Sequence, residues 1–372
     1  MRQTLAVVLL PLAVGLSAQS AQPAPDSWTQ FRRTPALTGV AAQPLPDALR
    51  LLWTYQAGPA VESSAAIADG VAYVGSASGE LHAIDLETGK ARWTYKANEE
   101  LGIGESSPAV AAGVVYVGDL AGVLHAVDAA TGKARWTFKT KAEIKSSPVV
   151  AGTRVLIGSY DGHLYAVDAA TGKEAWRYGT DNYVHATPGV WNGVAYFGGC
   201  DEFFHGVRIS DGRQVVKLST DGYTAASPAI AGGVAYYGTF ANDVLAVDIA
   251  ARKVTWRFED PDRQFPFYSS AALASGLMVL GGRDKNVRAL DMATGKQRWM
   301  FPTRARVESS PAIAGTRVVI GSGDGRVYLL DLASGRKIWE FESGAGFTTS
   351  PAVAQGRVVI GDVDGRVYAF GK

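Results

Sequence analysis

Apolar residues recur along the chain in short alternating runs cut by Gly, Asp and Thr at close intervals, and no run of ten or more residues carries the 3.6 spacing of a helix. The stretch Ala166 to Trp176, AVDAATGKEAW, shows the unit. Its alternation runs up to Asp168, whose carboxylate can accept hydrogen bonds from the N–H groups of a turn, and Gly172 supplies the positive φ that the reversal needs. Trp176 then begins a return strand, so the stretch predicts a β-hairpin. Copies end at Trp93 (AIDLETGKARW), Trp136 (AVDAATGKARW), Trp299 (ALDMATGKQRW) and Trp339 (LLDLASGRKIW). A single hairpin is too small to bury an indole, which places each tryptophan between two stacked units.

The register of the copies sets the architecture. The tryptophan position falls at Trp53, Trp93, Trp136, Trp176, Val216, Trp256, Trp299 and Trp339, in steps of 40 or 43 residues, a period that marks repeated blades. Each unit reads as an SSP-like strand, a Gly turn, a V-x-Y-x-G strand, a turn often holding Asp-Gly, an L-x-A-x-D strand, the Thr-Gly turn and the Trp strand. Eight SSP-like starts, at Ser63, Ser106, Ser146, Ala186, Ala226, Ser269, Ser309 and Thr349, predict an all-β, eight-bladed propeller of four-stranded antiparallel blades. The last unit stops at Lys372 after three strands, and Leu51 to Tyr55 is a Trp strand with no unit before it. The N-terminal strand is therefore expected to complete the last blade and close the ring.

With these residues in view, the A-x-D-x-x-T-G-x-x-x-W copies and the SSPAV and V-Y-V-G-S-x-D-G segments before them resemble the pyrroloquinoline-quinone (PQQ) repeat and tryptophan-docking motif of the quinoprotein dehydrogenases. The resemblance covers nearly all of Trp53 to Lys372, and SWTQFR around Trp28 is similar to the segment that often precedes such propellers. It implies the propeller fold. Those dehydrogenases are generally longer and often carry a vicinal cysteine pair over the cofactor and a calcium held by Glu, Asn and Asp. Here Cys200 is the single cysteine, and no C-x-x-C-H heme attachment occurs. The same blades without that equipment resemble the outer-membrane assembly factor that scaffolds β-barrel insertion, usually a lipoprotein. The resemblance thus implies an exported, non-catalytic scaffold with a protein or peptide partner in the cell envelope and no cofactor. The alternative it implies is a small PQQ-dependent enzyme or ligand-binding propeller with its site at the channel mouth.

Charge and leader narrow this further. Lys+Arg 36 against Asp+Glu 35 leaves no basic excess for nucleic acid. Residues 1–21 read as a signal peptide: Arg2, an apolar run from Leu5 to Leu16, then Ser17, Ala18, Ser20 and Ala21. The run is shorter than the ~20 residues of a membrane span, so no transmembrane anchor is expected, and no cysteine stands at the cleavage region to take a lipid. Residues 22–50 read as an irregular arm packed on the domain through Trp28, Phe31 and Leu37, and residues 51–372 as the propeller, expected to be a monomer in the periplasm or outside the cell.

Candidate chemistry is sparse. The residue before each SSP-like start varies, as Glu62, Glu105, Lys145, His185, Ala225, Tyr268, Glu308 and Thr348, and in a propeller this position surrounds the mouth of the channel. Asp-Gly pairs such as Asp161-Gly162 and Asp364-Gly365 read as hairpin turns rather than calcium loops. The fourth unit departs most, with His185, Cys200 and His205 as a conceivable metal or redox set and Val216 in place of Trp. Arg252 replaces the turn glycine of the fifth. Both 43-residue steps lengthen the connection before an SSP-like start, at Trp93 to Glu105 and Trp256 to Tyr268. Being four units apart in a ring of eight, these loops are expected to face one another across the channel. Their Glu99, Glu100, Leu101, Arg263, Phe265 and Phe267 are expected to form a partner surface of charges beside exposed aromatics.

Overall fold

A computed structural model describes residues 26–372; the expected signal peptide and the first residues of the arm lie outside the described residues. Eight four-stranded antiparallel sheets form a closed propeller, and no helix occurs among the described residues. Blade 1 consists of Ala66–Ala68, Val71–Gly75, Glu80–Asp85 and Ala91–Lys96, from the channel outward. The innermost strands of blades 2 to 8 are Ala109–Ala111, Val149–Ala151, Gly189–Trp191, Ala229–Ala231, Ala272–Ala274, Ala312–Ala314 and Ala352–Ala354. Arg50–Gln56 pairs with Arg366–Gly371 and is the outermost strand of blade 8, so the ring closes as the sequence predicts.

The burial pattern explains the mixture of alternating and continuous apolar runs. Middle strands such as Val71–Gly75 are buried on both faces, because each blade is sandwiched between two others. Outermost strands such as Glu174–Gly179 alternate between exposed and half-buried positions. Each core cluster accordingly joins neighbours: Tyr116 and Leu124 of blade 2 pack with Ile157 and Tyr165 of blade 3.

Two devices of the repeat hold blade to blade. A register shift one residue before each blade-ending tryptophan, as between Ala166 and Val167 opposite Trp176 and Glu174, turns the indole toward the next blade. There the Trp136 indole N–H donates to Ala169 O at 3.1 Å and the ring lies on Gly172, at φ +72°, where a Cβ would come within 2.7 Å of it. The same contact recurs from Trp53, Trp93, Trp176, Trp256 and Trp299. It is absent where Val216 ends blade 4, and there the receiving turn carries Arg252. With no indole to receive, the turn tolerates a side chain, and a stack of Tyr196, Phe204 and Tyr237 fills the seam instead. Trp339 meets Phe370 edge-on, because blade 8 has no Thr-Gly turn.

The second device is a belt of hydroxyls around the channel. The main-chain N–H of the second SSP-like residue donates to the hydroxyl of its counterpart in the next blade, from Ser64 through Ser107, Ser147, Thr187, Ser227, Ser270, Ser310 and Ser350 back to Ser64, at 2.8–3.0 Å. The first SSP-like hydroxyl ties strand to strand within a blade, as from Gly75 N to Ser63 Oγ at 3.2 Å. Both motif positions are thereby fixed by geometry.

The arm closes one end of the channel. Its main chain bonds the channel-facing edges of the innermost strands at Ile67, Val110, Val190, Ile230, Leu273 and Ile313, covering edges that would otherwise stand open. Trp28 and Leu37 are buried. Beside them Arg32 is fully buried, donating Nη2–H to Ala271 O at 2.8 Å while its Nε and Nη1 meet no acceptor. Burial pulls its pKa down to about 9, so it is still a cation at neutral pH. Gly39, at φ +67°, stands over it: a Cβ there would lie 1.9 Å from Nη2.

Candidate functional site: the basin at the open end of the channel

Strand order places the Thr-Gly turns and the arm on one face, here the lower. The connections between blades and the Asp-Gly turns share the upper face, where Lys141 N donates to Asp161 Oδ2 and Arg304 N to Asp324 Oδ2, both at 2.9 Å. On that face the channel opens into a basin of about 360 Å³ floored by Phe31 of the arm. Glu62, Glu105, Lys145, His185, Ala225, Tyr268, Glu308 and Thr348 all line it, just above the hydroxyl belt, so the variable position before each SSP-like start does surround the mouth.

Several of these side chains meet across the basin. The Tyr268 hydroxyl of blade 6 donates to Glu105 Oε2 of blade 2, spanning the channel between opposite blades. His185 Nε2 lies 2.9 Å from the Tyr268 oxygen, and His185 Nδ1 lies 2.6 Å from the hydroxyl of Tyr160. Lys145 Nζ stands 3.6 Å from Glu105 Oε1. Burial pushes the Glu105 carboxyl up, but hydrogen bonds from His185 and Tyr268 and the neighbouring Lys145 charge outweigh it and hold the group down to about 2. The Tyr268 phenol moves the other way, raised by burial and by the adjacent Glu105 charge. On the far wall Glu308 takes Arg283 at 2.7 Å and Arg306 at 3.6 Å. Glu62 has no such partner, and burial with the Glu105 charge raises its pKa. Thr348 Oγ1 is buried with no partner.

The enlarged loops lie on opposite blades, and their closing residues Glu105 and Tyr268 are the pair that meets. Leu101 and Phe265 are 47% and 50% exposed, and Glu99, Glu100 and Arg263 are exposed as well. Phe267 corrects the expectation of an exposed partner residue. It is 2% exposed, packs against Gly238 and lies under the Arg288 guanidinium, the slot that Val184 and Val307 fill in their own blades. Its register directly before the channel residue was the signal for that role.

The divergent fourth blade divides its candidate residues, placing His185 in the basin and His205 in the core. His205 is buried between Asp201 and Tyr178, repeating the places of His125 and His82 in blades 2 and 1. Burial raises the Cys200 pKa, which keeps it a thiol. A quinone cofactor held through a divalent cation needs several oxygen ligands at one point. Among the described residues no three of His, Cys, Asp and Glu gather to supply them. The basin carboxylates Glu105 and Glu308 are already engaged by the protein's own donors.

The fold defines the class: an eight-bladed propeller of PQQ-like repeats. The chain belongs to the family of the outer membrane protein assembly factor BamB, whose model matches residues 46–104, 101–190 and 180–370. No curated protein matches it. Among solved structures, BamB from Moraxella catarrhalis is 19% identical, covering 87% of this chain and 100% of its own, with a TM-score of 0.75. A europium-containing methanol dehydrogenase is 14% identical, with 94% and 99% covered and a TM-score of 0.81. The quinohemoprotein alcohol dehydrogenase of Comamonas testosteroni is 18% identical, with 94% and 81% covered and a TM-score of 0.79. At these identities the likeness is one of fold.

Proposed function

We propose that the protein is an exported, non-catalytic scaffold of the cell envelope that docks a protein partner on its upper face in outer-membrane protein assembly. One observation carries this. Of the seven large apolar side chains that stand exposed among the described residues, five, namely Leu101, Tyr183, Tyr223, Phe265 and Val363, lie on the connections and turns of the upper face, while the lower end is closed by the arm. Tyr183 stacks on Tyr160 at 4.6 Å and Tyr223 on Phe240 at 5.1 Å, so these aromatics are held in place before any partner arrives. Apolar anchors fixed in advance and ringed by charge are what a protein interface uses, since little entropy is lost when they bind. Membership of the assembly-factor family supports the partner class.

The test is removal of the gene from its host and measurement of folded barrel proteins in the outer membrane. The scaffold reading expects them to fall, and to recover with the native chain but not with Leu101→Ser/Phe265→Ser. The enzyme alternative expects purified protein loaded with PQQ and calcium to oxidise alcohols or sugars with a dye acceptor. Turnover lost on chelation, with barrel proteins unchanged in the deletion, would overturn the scaffold reading.

A further inference from the structure

The basin runs on toward blades 6 to 8 into a second cavity of about 530 Å³, and the two share Arg283, Arg306, Thr348 and Val363. The linings differ in charge. Arg283, Lys285, Arg304 and Arg306 line the second cavity and no carboxylate does. Glu308, at its border, is engaged by Arg283 and Arg306, while Lys285 and Arg304 have no carboxylate in salt-bridge reach among the described residues. Two of the nearby acids are engaged elsewhere, Asp284 by Arg288 and Asp324 by Arg304 N and the Tyr328 hydroxyl. Across the channel the charges are mixed, with Lys145 beside Glu105 and Lys96 beside Glu99. The second cavity thus concentrates positive charge that draws an anion.

Two buried groups point the same way. Thr348 Oγ1, at the junction of the two cavities, is buried without a hydrogen-bond partner, a group that a ligand oxygen can satisfy. Arg32, one residue past the Phe31 floor, is a fully buried guanidinium with no carboxylate beside it, so its charge is weakly screened. Glu105 shows within the same basin how a carboxylate is held, by donors from several blades at once.

We propose that this cavity is a binding site for an acidic peptide segment, its carboxylates paired with Lys285, Arg304 and Arg306 and one of its oxygens served by Thr348. The remaining walls are Ala305, Gly323, Gly346 and Val363, uncharged surface that a bare phosphate would leave unused and a peptide main chain would cover. The inference rests on the docking reading and adds the chemistry of the segment that docks.

The test is fluorescence anisotropy of a labelled hexaglutamate peptide titrated with the full-length protein at about 50 mM salt, where surface charges are little screened. Saturable binding is expected, with none for hexalysine or a neutral Gly-Ser peptide. Affinity should fall about tenfold or more in Lys285→Glu/Arg304→Glu, as truncated charge pairs lose it, and stay unchanged in Lys133→Glu on the lower face. Thermal melting of each variant shows that the fold is kept. No binding above the Gly-Ser peptide, or equal loss in Lys133→Glu, overturns the proposal. So does pyrophosphate displacing the probe at lower concentration than unlabelled hexaglutamate, which would make the ligand a small oxyanion. Failure here with barrel assembly still impaired in the deletion strain removes this inference alone; normal assembly in that strain removes the docking reading alone.

Discussion

The two ends of the channel solve opposite problems with the same eight strand edges. At the lower end the arm spends its main-chain groups on the innermost strands of six blades and buries Trp28, Leu37 and Arg32 against them. At the upper end no segment among the described residues crosses, and the channel is spanned by side chains, through Tyr268, Glu105 and His185. Main-chain pairing over a buried floor is hard to open. A side-chain strut over a polar basin, with exposed aromatics around it, can rearrange at the cost of a few hydrogen bonds. The contrast places the main-chain closure at one end and underlies the proposal of recognition at the other.

That contrast fixes where substitutions should be felt. Trp28→Ala at the closed end should cost about 3–5 kcal/mol in chemical denaturation, as expected for a buried aromatic. Gly39→Val should cost about 2–4 kcal/mol, because its backbone is left-handed and its side chain would overlap the Arg32 guanidinium. At the open end Tyr268→Phe removes the hydroxyl's hydrogen bonds with Glu105 and His185 and should cost about 1–3 kcal/mol.

The same strut sets a pH dependence. The Glu105 pKa is about 2 in the folded protein, below its value of about 4.3 in an unfolded chain. Its contribution is therefore complete above about pH 4.3 and is lost as pH falls toward 2. Native protein should lose more stability than Glu105→Gln between about pH 5 and pH 3, and parallel pH profiles would remove the strut from the account. Phe265→Ser and Leu101→Ser should change stability least, within about 0.5 kcal/mol, since both side chains already face solvent. A large loss there would mean that the rim is structural after all.

The closed end and the blades were more legible in the sequence than the open end, for a physical reason. Interblade contacts repeat, so the tryptophan register gave the blade count and the seam, and the missing fourth strand of the last unit gave the ring closure. Val216 and Arg252 read as two separate departures until the structure joined them as the two halves of one absent contact. The SSP-like serines read as strand starts, because the hydroxyl belt links residues about forty apart and leaves no local pattern. At the open end the positions around the mouth were readable from register. Which of them touch was not, since the Tyr268 to Glu105 contact joins residues 163 apart at a position whose side chain changes from blade to blade. Phe267 was misread because its insertion drew attention to composition, while its position before Tyr268 marked it as core. Arg32 carried no signal, being one of two adjacent arginines in an irregular arm.

The central claim, that recognition belongs to the open end, is tested most directly by photo-crosslinking in the native host. A benzophenone amino acid is placed singly at Leu101 and Phe265 on the upper face and at Lys133 and Lys173 on the lower. The account predicts discrete protein adducts from the first pair, a barrel-assembly component among them, and none from the second. Adducts confined to Lys133 and Lys173 would contradict it.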